Sequence, residues 1–326
     1  MPMATGPRLT LIATTSPLAR VAIAAACAVL VFASTDARSQ PASAPTRPAA
    51  ASCELTDAQD RTVTRVIDGE TLVLDGGTEL RLIGALAPRA FDTAGEIAAW
   101  PLADRAREAL EKMAAGRTVR LAFAGRRTDR YARLLAHVFT GADSDRIWLQ
   151  GELLKRGLAR AYALDGSTAC LAELIAHETV AREQAVGLWA ETIYAVRPAD
   201  DVSTLLRLAG TYQIIEGKVS NAAEVRGTTY VNFGEDRRQD FTIVVHAQAR
   251  RAMAGAAFKP GDLNGRRVRV RGWIERRGGP MIELAHPDVI ELLAPTAGDA
   301  EPATPLADTV TQQRRRARRA PRPDQR

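Results

Sequence analysis

From Arg61 the chain alternates apolar and polar positions in short runs. TVTRVI, TLVL and TELRLI are separated by Asp68-Gly69 and by Asp75-Gly76-Gly77, which predicts a β-meander. PLADRAREALEKMAAG then changes period: Leu102, Ala106, Leu110 and Met113 fall on one helical face, Pro101 suits a first turn, and Gly116 ends the helix. TVRLAF and RLLAHVF predict two further strands. IWLQGELLKRG reads as a short helix stopping at Gly157, and a longer helix covers about Leu171 to Gln184. Strands in this number with interleaved helices predict a small α+β barrel over residues 61–194.

Residues 195–208 read as a connecting linker. A second strand-rich unit, 209–293, follows as IIEGKVS, TTYVNF and DFTIVV, then AQARRAMAGAAF as a helix, then RRVRVRGWIE, GPMIEL and VIELL. That order predicts an OB-like β-barrel, although an SH3-like or irregular sandwich gives the same alternation. RRVRVRG alternates arginine with valine, which predicts a half-buried strand with a solvated basic face. Tyr230 and Phe233, with Arg237 and Arg238, form either a stacking and phosphate-contacting surface or part of the barrel core.

The ends of the chain differ in kind. Arg8 and Arg20 precede the apolar run VAIAAACAVLVFA, which is short of the roughly 20 residues a membrane-spanning helix needs. With small residues at Ala37 and Ser39, residues 1–39 read as a signal peptide, and the expected location is secreted, in a bacterial periplasm, with no membrane span left after cleavage. Cys27 lies inside the apolar run, where AAAC is a poor match to a lipid-attachment box. Residues 40–60 read as a Pro/Ala/Ser linker, and 294–326 as a disordered Arg/Pro-rich tail. The net charge of +6 resides in that tail, because residues 310–326 hold seven arginines and one aspartate. Residues 61–194 balance at eighteen of each sign, and 209–293 carry thirteen Lys/Arg against ten Asp/Glu.

Signal removal leaves Cys53 and Cys170. In an oxidising compartment they are expected to form a disulfide, the alternative being two free buried thiols. Such a bridge would close a long loop, for which chain entropy predicts about 4–5 kcal/mol.

VIDGETLVL, RLIGALAPRA, RRTDRYARLLAHVF, QGELLKRGLARAY and ETVAREQAVGLW occur in this order between about Val63 and Trp189. Together they resemble the thermonuclease (staphylococcal nuclease-like) family, and the resemblance implies an OB-type barrel with helices over about residues 61–193. It also implies a calcium ion held by two aspartates and a backbone carbonyl, a glutamate that activates water, and two arginines on the phosphate. Carried onto this chain, the first aspartate is Glu70 and the second is Leu86, which has no oxygen. The carbonyl belongs to Ala87, the glutamate is Arg89, and the arginines are Arg81 and Arg133. Tyr131 and Tyr162 stand where the family places aromatic rings near the substrate base, though core packing explains them equally.

Three guanidinium groups and one carboxylate should hold calcium weakly or not at all, and Arg89 cannot act as a base. The expected function is therefore a catalytically impaired nuclease homologue whose Arg81, Arg89 and Arg133, with Tyr131 and Tyr162, bind a phosphate-bearing ligand, nucleotide or nucleic acid. A blander reading has Arg89 pointing to solvent, with Arg81 and Arg133 paired to Glu70 or Asp129 as structural ions. An active metal-dependent nuclease recruiting Asp92 or Glu96 is the second functional reading. A non-catalytic scaffold binding a protein partner in the cell envelope is the third. His137, His177, His246 and His286 lack metal-ligand spacing.

Overall fold

Asp68 and Gly69 reverse the chain between β1 (Thr56–Val66) and β2 (Thr71–Leu74), with the Asp68 carboxylate accepting from the Glu70 N–H at 2.9 Å. A turn at Asp75–Gly77, in which Gly76 and Gly77 take positive φ, leads into β3 (Glu79–Leu82). This is a computed structural model, and it describes residues 53–89, 101–142, 145–164, 168–236, 238–252, 259–284 and 286–295. The signal-like segment, the lipid-box Cys27, the tail, Asp92, Glu96 and Arg237 lie outside the described residues.

The register of β1 shifts within each of its ladders, so its first half pairs with β5 (Thr118–Phe123) and its second half with β2. β6 (Leu134–Thr140) pairs antiparallel with β5 and parallel with β3, from Leu80↔Leu134 to Leu82↔Ala136. The order β3-β2-β1-β5-β6 thereby closes into a five-stranded barrel. Val63, Leu72, Leu74, Leu80, Leu121 and Val138 fill it with no exposed surface, each burial stabilising by about 1.5–3 kcal/mol. Residues 56–60 belong to this barrel through their pairing with β5, whereas the sequence reading placed them in the linker.

Helices close the barrel ends. α1 (Pro101–Ala114) buries Leu102, Ala106, Leu110 and Met113, the face that its periodicity indicated. β4 (Ala85–Leu86) pairs with β8 (Arg160–Ala161), and β7 (Ile147–Trp148) leads into α2 (Leu149–Lys155). Gln150 of α2 is fully buried, accepting from the Val138 N–H at 3.1 Å and donating to the Ala136 and Ile83 carbonyls at 2.9 and 3.3 Å. Because every group it brings into the core is paired, this amide pins α2 to the barrel instead of destabilising it. α3 (Leu171–Glu183) follows Cys170, which is disulfide-bonded to Cys53 across 117 positions. The bridge ties the chain just before β1 to the start of α3.

The stretch from 195 to 208 is built into the second unit: β9 (Arg197–Pro198) pairs parallel with the next strand, and α4 (Val202–Arg207) is capped by Asp201, which accepts from the Thr204 N–H at 3.1 Å. Next come β10 (Tyr212–Lys218), β11 (Asn221–Val225), β12 (Thr228–Asn232), β13 (Thr242–Val245) and α5 (Ala247–Ala252). β14 (Arg267–Trp273), β15 (Glu275–Arg277), β16 (Gly279–Glu283) and β17 (Ile290–Leu292) complete the unit. They form two sheets, ordered β17-β14-β10-β9 and β11-β12-β13-β16-β15. The chain switches sheet after β10, after β13, at Ile274 and after β16, and the two layers share a core. No helix among the described residues is long and apolar enough to cross a membrane.

One expectation is corrected here. The arginine face of β14 is solvated only in part, with Arg267 and Arg269 partly exposed and Arg271 not. Val268 and Val270 are buried in the core, and Arg271 on the opposite face is also fully buried. Its Nη1 lies 2.9 Å from Oε2 of Glu178, a fully buried α3 residue, and its Nη2 lies 2.6 Å from Glu291. Glu178 also accepts from Arg182 at 2.8 Å and from the Ala161 N–H at 2.6 Å. Arg269 in turn pairs with Glu216 and Glu291 at 2.9 and 3.6 Å. Glu178 of α3 covers the Arg271 end of the strand, while Arg267 and Arg269 remain partly exposed and pair with Glu216.

Candidate functional site

Gly69 sets the site. A side chain there would put Cβ 2.7 Å from the Ala106 Cβ and 2.8 Å from the Ala87 Cβ, so only glycine lets the β1–β2 turn press against α1 and the segment after β4. The next residue, Glu70, is consequently driven inward and is 4 % exposed. Its Oε2 accepts from the Ala87 N–H at 3.2 Å. Its Oε1 accepts from Arg89 and lies 3.4 Å from Nη2 of Arg81 on β3. Leu86, in β4, is buried and turns hydrocarbon toward its surroundings. The structure thus gathers Glu70, Arg81, Ala87 and Arg89 into one ion cluster at the closed-barrel end.

Residues 79–191 match the family described as Staphylococcal nuclease homologue. This stretch is a staphylococcal nuclease-like domain. No curated protein matches the chain.

The remaining residues singled out in the nuclease-like domain form a second group. Arg133 precedes β6, and the parallel register places it two positions from Leu135, the partner of Arg81. Its guanidinium is engaged by Asp129, with Nε and Nη2 at 2.8 and 2.7 Å from Oδ2. The Asp129 carboxylate also accepts from the Tyr131 and Arg133 N–H groups at 2.8 and 3.1 Å. Burial works to raise the Asp129 pKa, but these donors outweigh it and hold the group below the ordinary carboxylate value. Tyr131 is 64 % exposed, with the Arg130 and Arg133 guanidinium carbons 4.8 and 5.5 Å from its ring centre. Its ring belongs to the surface, not to the core.

Tyr162 is half-buried beside the first group. Its N–H donates to the Gly84 carbonyl at 3.1 Å, and the Arg81 guanidinium lies 5.9 Å from its ring centre. So Arg81 links the acid, the second arginine and an aromatic ring. Arg89 reaches back to Glu70 although its side chain is 45 % exposed, so it does not simply point to solvent. Counting both groups, three guanidinium ions face two carboxylates, with Arg81 at Glu70 and Arg133 at Asp129, the ion pairs that the blander reading named.

In the second unit, Phe233 packs on Phe241 at 5.1 Å, a core contact, while Tyr230 lines a groove with Met281, Asn232 and Arg277. Arg277 there is paired with Glu275 and Glu283, each at 3.0 Å. Among the described residues, no group of three or more His, Cys, Asp or Glu converges on a point.

Proposed function

We propose that the nuclease-like domain is a catalytically impaired homologue that binds phosphate-bearing ligands, nucleic acid or nucleotides, through Arg81, Arg89 and Arg133. The observation that carries this is the Arg89–Glu70 pair. The position that would supply a base holds a guanidinium, and the acid it meets is already neutralised by it and by Arg81. A guanidinium does not release its proton in the working range. General-base assistance typically contributes about 10²–10⁴ in rate, and that contribution is missing here.

Calcium takes six to eight oxygens and gains affinity from carboxylates. One glutamate with both oxygens engaged, a leucine at the neighbouring position and two guanidinium groups alongside are a poor donor set for it. The same groups suit an anion. A phosphate competes with Glu70 for Arg81 and Arg89 and offers each the forked, charge-assisted geometry that guanidinium ions favour. Exposed Tyr131 and half-buried Tyr162 supply faces for a base next to those charges.

The Cys53–Cys170 bridge supports an oxidising location, in keeping with the signal-like N-terminus, and we place the protein in a periplasm or outside the cell.

Calorimetry with calcium and with a nucleoside diphosphate tests the reading, alongside a single-stranded DNA cleavage assay with and without calcium. The expected result is diphosphate binding weakened about 10- to 100-fold by Arg81→Ala, no tight calcium binding, and no cleavage above background. Metal-dependent cleavage abolished by Glu70→Ala overturns it in favour of an active nuclease. Absence of nucleotide and nucleic-acid affinity at physiological salt leaves the envelope scaffold.

A further inference from the structure

Arg81 is the first member of a row that leaves the nuclease-like domain. Its guanidinium sits over Tyr162, whose ring centre is 5.4 Å from that of Tyr212 on β10. Tyr212 is in turn 5.7 Å from Trp273, its cross-strand partner at the end of β14. The middle ring is fixed: it is 3 % exposed, its hydroxyl donates to the Ala161 carbonyl at 3.0 Å, and the Arg160 guanidinium lies 5.3 Å from its centre. It meets both neighbours edge-on, at 75° and 66°. Trp273 is 43 % exposed, an unusual fraction for the largest apolar side chain.

We propose that Trp273 is a base-stacking contact for a single-stranded polynucleotide held across both units, with a phosphate at Arg81 and bases on Tyr162 and Trp273. The inference rests on the anion-binding reading of the Arg81 site and extends it from a mononucleotide to a strand. Two ring-to-ring steps separate the accessible faces, and the buried Tyr212 keeps them at a constant spacing. Non-specific binders of single strands combine aromatic platforms with basic groups, and Arg81 and Arg89 supply these at one end of the row. The buried Arg271–Glu178 pair, two positions from Trp273 along β14, locks β14 to α3, so the row does not depend on a mobile junction.

The test is fluorescence anisotropy on the full chain with two probes: a labelled oligothymidylate of about twelve nucleotides, within the span such folds cover, and a labelled nucleoside diphosphate. Trp273→Ala is expected to weaken the oligonucleotide about 5- to 100-fold, the range set by loss of one stacked base, and to leave the diphosphate unchanged. Trp273→Phe keeps a ring and is expected to recover most of the loss. Arg81→Ala is expected to weaken both probes. If the oligonucleotide binds Trp273→Ala as tightly as the parent while Arg81→Ala lowers both probes, the inference fails and the site reading stands. If Trp273→Ala lowers both probes equally, the defect is structural and the inference also fails. If neither probe binds the parent protein, the site reading falls and takes this one with it.

Discussion

Arg89 donates to the Glu70 carboxylate from 19 positions downstream, so an exposed guanidinium reaches back to neutralise a buried acid. Nearby, Leu86 withholds an oxygen and the Ala87 N–H consumes another lone pair of Glu70. Both Glu70 oxygens are thus engaged, one by guanidinium groups and one by a backbone N–H.

Rebuilding the acids should reverse that balance. Leu86→Asp with Arg89→Glu is expected to create calcium binding with Kd of about 10⁻⁴–10⁻³ M, the weak end for oxygen sites. Because position 86 is buried, the added aspartate should lower Tm without calcium and the ion should restore it. Calorimetry and thermal unfolding with and without calcium check both parts.

Arg271 and Glu178 are both fully buried and come from different units. Arg271→Met leaves Glu178 with less compensation and is expected to cost about 3–5 kcal/mol. Arg271→Met combined with Glu178→Gln should cost clearly less than the two single changes added together, as expected of a directly coupled pair. Urea unfolding of the four proteins in the cycle measures this.

His137 has a buried ring with neither nitrogen hydrogen-bonded among the described residues, and burial pushes its pKa down to about 4. An unfolded chain protonates it near 6.5. Between those values the unfolded state holds more protons, so stability is expected to fall as pH drops from about 6.5 to about 4, by about 3 kcal/mol in total. His177, on the other side of Trp148, is also lowered, by burial first and then by Lys155, and adds the same sign. His137→Phe should flatten most of the slope when unfolding is followed at pH 7 and pH 4.5.

Reduction of Cys53–Cys170 is expected to destabilise the folded chain by about 2–5 kcal/mol. Thermal unfolding with and without reductant, with Cys53→Ser as control, measures the loss. The serine variant should show no further response to reductant.

Local chemistry is readable from local order. Alternation and the Asp68-Gly69 and Asp75–Gly77 turns mark the meander, and the spacing of Leu102, Ala106, Leu110 and Met113 marks the buried face of α1. Leu86, Arg89, Cys53 and Cys170 are visible as residues in the same way. Periodicity reports whether one face of a strand is apolar, but not what lies against the other. The alternation of β14 was therefore indistinguishable from that of a solvated strand, and only docking of α3 made Arg271 an interior ion. The same limit hid β9, whose two residues gain meaning from pairing with β10, and it hid the row that joins Tyr162 to Tyr212 and Trp273 across more than a hundred positions. Which cation meets which carboxylate is a matter of distances across the fold, and those are settled only when the two units close on one another.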